Sequence, residues 1–272
     1  MKKSLTLVIA VYNAVQYLNF IFTALQRQSF IDFEVIVADD GSGEEIASLV
    51  HRVRDETGFS VRHLWQEDKG FRKNIMLNKA IHCAQTDYMV FIDGDCLPHY
   101  KFLHDHWTSR RPNTVLCGRR VNFSKQITSH LTRDDIMSGR YEKYSLSLLW
   151  DGFMARSSNL EDAIRIQHPM LRKIVQMREA RILGCNFSVE KKSLEQINGF
   201  NEDYCAPGLG EDSDIAYRLA LTGTNFLTLR YLAILYHLYH PTTHVDGENK
   251  RIYERVVATR EPICKNGLRK FA

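Results

Sequence analysis

Four short apolar runs in the first hundred residues each stop at a polar cluster, and the stretches between them carry apolar residues at helical spacing. Leu5–Val11, Phe33–Ala38, Ser60–Trp65 and Tyr88–Ile92 have strand length and are rich in β-branched and aromatic residues. After the first run, Val15, Leu18, Phe22 and Leu25 share a helical face. After the second, Ile46, Leu49, Val50 and Val53 recur at i, i+3, i+4 and i+7, and a third helix is expected from about Arg72 to Cys83. Strand–helix–strand units of this length build an α/β fold, a Rossmann-like, mostly parallel sheet flanked by helices. Ligands of such sheets bind beyond the carboxyl ends of the strands. Tyr12-Asn13, Asp39-Asp40 and Asp93-Gly94-Asp95 fall at those ends.

The remainder is less regular. Residues from about Ile127 to Arg181 read as a largely helical insert, Ile182–Val189 as a strand, and Lys191–Ile197 as a short helix closed by Asn198-Gly199. A glycine-rich loop, Pro207–Gly210, leads into a helix from Glu211. No repeat or linker divides the chain, so one domain is expected over residues 1–240, insert included, followed by a C-terminal tail at 241–272.

With 44% apolar and 25% charged residues, the composition is that of a globular protein, which excludes a disordered or fibrous chain. Thirty-six Lys and Arg against 32 Asp and Glu give a net +4, too even a balance for a nucleic-acid binder. The apolar run after Met1-Lys2-Lys3 is too short for a signal peptide, and no stretch is long enough to span a bilayer. The six cysteines lack CxxC spacing, which fits free thiols in a reducing cytoplasm and speaks against zinc.

Three acidic clusters carry candidate chemistry. In Asp93-Gly94-Asp95 an extended strand points both carboxylates the same way, and Gly94 leaves room for a ligand. Oxygen ligands of this kind hold Mn²⁺ or Mg²⁺ against a diphosphate, although the same tripeptide also makes an ordinary solvated turn. Asp39-Asp40-Gly41-Ser42 reads either as a capped strand-to-helix turn or as carboxylates that accept from a nucleobase N–H or ribose hydroxyls. In Glu211-Asp212-Ser213-Asp214, favourable interaction with the helix dipole accounts for one or two of the acids. Asp212 shares a helical face with Ile215 and Leu219, so it should face the protein body as a candidate general base.

Taken in order, Val8–Asn13, Asp39–Ser42, Asp93–Asp95, Gly184-Cys185-Asn186 and Gly210-Glu211-Asp212 resemble family 2 glycosyltransferases of the GT-A fold. Asp68-Lys69-Gly70-Phe71-Arg72, with Asn78 beyond, is similar to the family's segment beneath the sugar nucleotide. The stretch from Gly199 to Arg218 is similar to β-1,4-galactosyltransferases and bacterial chondroitin-type polymerases. The resemblance covers roughly residues 4–240. It implies an inverting enzyme that uses a UDP-sugar and a divalent metal, Mn²⁺ or Mg²⁺. Asp39 would contact uracil, with Val11, Tyr12, Asp40, Asp93 and Gly94 around base and ribose. Asp95, His240 and His237 would hold the metal. Asp212 would be the base, with Glu211 on the acceptor, and Arg72, Arg181, Gly184, Cys185 and Asn186 would line the donor site and tune its choice. The implied acceptor is a saccharide or lipid-linked saccharide of a bacterial surface polysaccharide or lipopolysaccharide. A nucleotidyltransferase lacks its phosphate loop here, and a non-catalytic sugar-nucleotide-binding module would not need both Asp95 and Asp212.

Within the insert, Leu146, Leu149, Trp150, Phe153 and Met154 form an apolar stripe flanked by Arg140, Lys143 and Arg156. Such a stripe packs on the sheet or at a dimer contact, or lies in an anionic membrane interface on the inner face of the cell membrane.

Overall fold

The computed structural model describes residues 3–143, 148, 150–152, 154, 157–176, 179–208, 210–241 and 247–271. Its centre is a seven-stranded sheet of order β3-β2-β1-β4-β8-β6-β9. The strands are β1 (Leu5–Val11), β2 (Phe33–Asp39), β3 (Val61–Trp65), β4 (Tyr88–Asp93), β6 (Thr114–Cys117), β8 (Phe187–Glu190) and β9 (Asn225–Thr228). The first four run parallel, β8 lies antiparallel between β4 and β6, and β9 runs parallel to β6. Strand β1 is buried along its whole length because both sheet faces are covered, which is why it reads as a continuous apolar run. On one face Leu7 and Ile9 join Leu18, Ile21 and Phe22 of α1 (Val15–Leu25) and Ile46, Leu49 and Val50 of α2 (Glu44–Thr57). On the other, Val8 and Ile36 meet Met76, Ala80 and Ile81 of α3 (Lys73–Cys83). Each fully buried aliphatic side chain of this set is worth about 1.5–3 kcal/mol.

A second sheet has the order β5-β10-β7, from Cys96–Pro98, Leu235–His237 and Arg120–Asn122. Its register pairs His237 with Cys96, the residue after Asp95. That pairing brings the end of the chain's second half to the end of β4. Helix α4 (Phe102–Ser109) lies between these segments in sequence.

The insert is helical in short pieces: its described part holds α5 (Lys125–His130), α6 (Arg133–Met137), two 3₁₀ turns at Arg140–Lys143 and Leu160–Ala163, α7 (Pro169–Val175), and helical residues at 148 and 150–152. Ser158 forms an antiparallel bridge with Asn122. The strand expected over Ile182–Val189 starts only at Phe187, because the Asn186 amide folds back onto the Leu183 carbonyl at 2.7 Å. Strand β4 ends at Asp93 and the chain turns at Gly94-Asp95, so the two carboxylates do not stand on one extended strand.

Helix α8 (Lys191–Gln196) precedes the loop into α9 (Glu211–Leu221). The segment beyond residue 240 docks on these elements. In α10 (Glu248–Thr259), Tyr253 meets Tyr217 of α9 edge-on, and the Asn198 side-chain amide donates to the Cys264 carbonyl at 2.8 Å.

Candidate active site

Parallel register places Val11 beside Asp39 and Ala10 beside Asp93, so the carboxyl ends of β1, β2 and β4 form one rim. A cavity of about 440 Å³ opens there, within the range of small-ligand sites. Val11, Tyr12, Asp40, Asp93, Gly94, Asp95 and His240 line it, together with Asp68, Gly70, Phe71, Lys73 and Pro207. Gly94 is required less by a ligand than by the fold. Its N–H donates to the Ala10 carbonyl at 2.6 Å, and a Cβ would stand 2.9 Å from the Val11 side chain. Asp40 accepts from Gln66 Nε2 at 2.6 Å and from the Arg72 backbone N–H at 2.7 Å. Burial raises its pKa, and these two bonds offset only part of the rise. The Tyr12 hydroxyl donates to Asp68 at 2.9 Å, a bond that raises the Tyr12 pKa.

At one end of the cavity the turn after β4 and the strand β10 converge. Asp95 Oδ2 lies 3.0 Å from His240 Nε2 and 3.5 Å from His237 Nε2, and the two imidazole nitrogens are 3.3 Å apart. Burial pushes the Asp95 carboxyl upward, but hydrogen bonds from His237 and His240 outweigh it and hold the group below the ordinary range. His240 is raised in turn by its bond to Asp95. One carboxylate oxygen and two imidazole nitrogens, all within 4.8 Å of one another, are a plausible donor set for a divalent cation. Two nitrogens suit Mn²⁺ better than Mg²⁺, which prefers an all-oxygen shell.

The start of α9 joins this rim through Lys73, which lines the cavity. Gly210 takes φ +131°, which only glycine adopts without strain, and turns the chain so that Glu211 and Asp212 open the helix. Glu211 reaches Lys73 Nζ at 2.7 Å, and Lys73 reaches Asp93 at 2.8 Å. Burial raises the Glu211 pKa while Lys73 opposes the rise. Asp212 is half-buried beside this cluster, and Ile215 and Leu219 on its face are fully buried. Deeper in the same helix Asp214 is buried against Arg218.

Several expected ligand contacts are not placed at the cavity. Asp39 is fully buried and already accepts from the Ser42 N–H at 2.8 Å, with His63 Nε2 on its other oxygen at 2.8 Å. Asn78 bonds the Phe200 carbonyl and amide, tying α3 to the loop before α9. Asn186 is buried and donates to the carbonyls of Arg119 and Ala233, and Cys185 is a core residue against Arg120. The Arg72 side chain turns to the Glu67 carbonyl, so only its backbone serves the site. Arg181 projects outward with its side chain 80% exposed. Gly184, by contrast, sits over the Lys73–Glu211 pair. Sequence reasoning missed Lys73 and Gln66. The only local hint was a lysine in the first turn of α3, where the helix dipole disfavours a cation.

A mostly parallel sheet with acidic groups at its carboxyl rim and a turn of carboxylate and histidines beside them is the GT-A architecture of glycosyltransferases. The chain belongs to that class through family 2: the family model "Glycosyl transferase family 2" matches residues 6–173, more than half of the 272 residues. A second model, "N-terminal domain of galactosyltransferase", matches residues 170–241, the part that carries Glu211, Asp212, His237 and His240. The chain is 27% identical to the Escherichia coli chondroitin synthase over 90% of its own length, and 25% identical to that of Pasteurella multocida (strain Pm70) over 82%. It spans only 37% and 23% of those proteins. In fold it is similar to Staphylococcus aureus TarS in complex with UDP, with TM-score 0.62 at 15% identity over 94% of this chain and 64% of that one. It is also similar to the Pyrobaculum calidifontis mannosyltransferase PcManGT in complex with GDP-Man and Mn²⁺, with TM-score 0.57 at 16% identity over 96% and 61%.

Proposed function

We propose that the protein is an inverting glycosyltransferase that moves a sugar from a UDP-sugar to a hydroxyl of a saccharide acceptor. The observation that carries this reading is the Asp95–His237–His240 cluster at the cavity, with the Glu211-Asp212 helix start tied to the cavity rim through Lys73 and Asp93. Tyr12, Asp40 and Asp93, which line the cavity, would contact base and ribose, and Asp39 holds the turn after β2 through the Ser42 N–H. Asp95, His237 and His240 would hold a divalent cation, Mn²⁺ by their chemistry. When bound, that ion neutralises charge on the diphosphate.

Asp212 takes the proton from the acceptor hydroxyl as its oxygen forms a bond to the anomeric carbon. The bond from that carbon to the diphosphate oxygen breaks in the same displacement, and UDP leaves. The relatives named as chondroitin synthases support a place in bacterial surface polysaccharide or lipopolysaccharide synthesis.

A lipid-linked acceptor would also explain an exposed apolar surface. Residue Leu148 of the insert is buried, but Trp150 and Met154 are exposed, while Leu146, Leu149 and Phe153 of the expected stripe, with Arg156, lie outside the described residues. Helix α7 buries no residue: Met170 and Ile174 are each 71% exposed beside Arg172 and Lys173. Apolar side chains with basic neighbours complement an anionic lipid surface, so this face would hold the enzyme peripherally at the inner membrane. No described helix is long and apolar enough to cross a membrane.

The enzyme reading is tested by incubating the protein with a panel of nucleotide sugars and Mn²⁺ and following UDP release. Release is expected with UDP-sugars, lost in excess chelator, and reduced about 10²–10⁴-fold in Asp212→Asn, the usual range for a missing general base. Unchanged release in Asp212→Asn refutes its role, and no release from any nucleotide sugar refutes the enzyme.

A further inference from the structure

A second cavity, of about 700 Å³, lies at the pole of the main sheet opposite the candidate active site. Ser4, Asp87 and Pro112 stand just before β1, β4 and β6, and Glu190 ends the antiparallel β8, so the cavity opens among the amino ends of the parallel strands. Strand β1 has seven residues, which at about 3.3 Å each puts the length of the sheet between the two cavities.

Three cations line it, Lys3, Arg110 and Arg111, and none forms an ion pair with a described residue. Among the described residues, Lys3 Nζ reaches the Ile31 carbonyl at 3.5 Å, Arg110 Nη1 reaches the Trp107 carbonyl at 2.6 Å, and the Arg111 side chain has no hydrogen-bond partner. The Arg110 guanidinium carbon lies 3.4 Å from the centre of the Trp107 ring, and that ring is itself wedged against Phe30 and Tyr88. The stack fixes the plane of the guanidinium, so little freedom is lost when its remaining N–H groups bind an anion. The acids of the cavity do not neutralise these cations. Glu190 accepts the Asn113 N–H at 2.9 Å with one oxygen and meets Lys192 at 3.2 Å with the other, and Asp87 is the only other acid in the lining.

An inorganic anion would leave most of this volume empty, whereas several hundred Å³ beside aromatic rings is the size of an organic ligand's site. Tyr88 offers its ring alone, because its hydroxyl is bonded to Ser188 at 2.8 Å. Carboxylate oxygens accept more than one hydrogen bond each, so Asp87 and Glu190 suit a ligand rich in hydroxyls. They disfavour a nucleic-acid backbone, whose closely spaced phosphates would meet both acids. A ligand that is anionic, hydroxylated and larger than a simple ion is an acidic saccharide. We propose that this cavity binds a uronate-bearing stretch of saccharide, with its carboxylates on Lys3, Arg110 and Arg111 and its hydroxyls on Asp87 and Glu190. A saccharide chain anchored here would return to the catalytic rim at raised effective concentration, a consequence that alone rests on the transferase reading.

The test is calorimetric titration of the full chain, at low salt and without added metal, with hexagalacturonate, neutral maltohexaose and inorganic phosphate. Hexagalacturonate should bind at least about tenfold tighter than maltohexaose, the effect of one hydrogen bond between charged groups, and the gap should narrow as salt rises. Arg110→Gln with Arg111→Gln should weaken hexagalacturonate about 10- to 100-fold while the affinity for UDP with Mn²⁺, which reads the other cavity, stays unchanged. Should loss of the Arg110 stack lower melting, Lys3→Gln with Arg111→Gln leaves the stack in place and should still weaken hexagalacturonate about tenfold. Equal binding of the acidic and neutral hexasaccharides overturns the proposal. Wild-type affinity for hexagalacturonate in both paired variants also overturns it, since the saccharide then binds elsewhere. Displacement of hexagalacturonate by inorganic phosphate at a similar concentration would leave a simple anion site and overturn the saccharide assignment.

Discussion

Arg218 holds the helix that carries Glu211 and Asp212, and its removal should be costly. It is fully buried, donating through Nε to Asp214 at 2.8 Å and through its two terminal nitrogens to the carbonyls of Ile197 at 2.7 Å and Gly199 at 2.9 Å. These bonds fasten α9 to the end of α8 and the Asn198-Gly199 turn. Arg218→Met keeps much of the volume but strands a buried carboxylate and two carbonyls. Breaking a buried ion pair by removing one partner costs about 3–5 kcal/mol, so a loss of about 4 kcal/mol is expected. At about 2–4 °C per kcal/mol for a chain of this size class, melting should fall by roughly 10 °C. Chemical denaturation at pH 7 reads the first number and calorimetry the second. Asp214→Asn added to Arg218→Met should recover part of the loss, because the uncompensated charge is gone. A loss below about 1 kcal/mol for Arg218→Met would refute the argument that this guanidinium anchors the helix.

Two further outcomes follow from buried chemistry and exposed surface. His106 is fully buried, bonding Ser188 and Asn186, and burial pushes its pKa from 6.5 down to about 4. The native state therefore resists protonation that the unfolded chain accepts, so its contribution is intact above pH 6.5 and declines by roughly 3 kcal/mol as pH falls toward 4. Denaturation midpoints across that window should show the slope, and His106→Gln should flatten it. On the surface, the protein should co-sediment with anionic but not neutral vesicles, more weakly as salt rises, and Met170→Ser with Ile174→Ser should abolish this without altering melting. Equal binding to neutral vesicles, or a collapse in melting, would contradict the membrane contact.

The fold's first half was legible because each element there is long enough to show its period. Strands β1 to β4 and helix α3 stand within a residue of their expected limits, and the apolar faces expected for α1 and α2 fall inside those helices. The second sheet was not, since β5, β7 and β10 are three residues each and carry no periodicity. The insert was legible as largely helical, but not as several short pieces, because apolar spacing does not mark where a helix breaks. At the site, Asp40, Asp93, Asp95, His237 and His240 could be singled out by motif, and they do gather around the cavity. Asn78, Asn186 and Asp39 belong to the same motifs yet spend their polar atoms inside the protein. A motif position does not say whether a side chain faces a ligand or braces the loop that does. Lys73 could not be paired from sequence because its partner Glu211 lies 138 residues away.

The most direct test of the donor site is a crystal of the protein soaked with UDP and Mn²⁺, with anomalous scattering locating the metal. The account predicts one manganese peak within coordination distance of Asp95, His237 and His240, with uracil against Tyr12 and Asp40 and the diphosphate reaching the metal. UDP bound elsewhere, or manganese bound away from those three side chains while UDP fills the cavity, would contradict it.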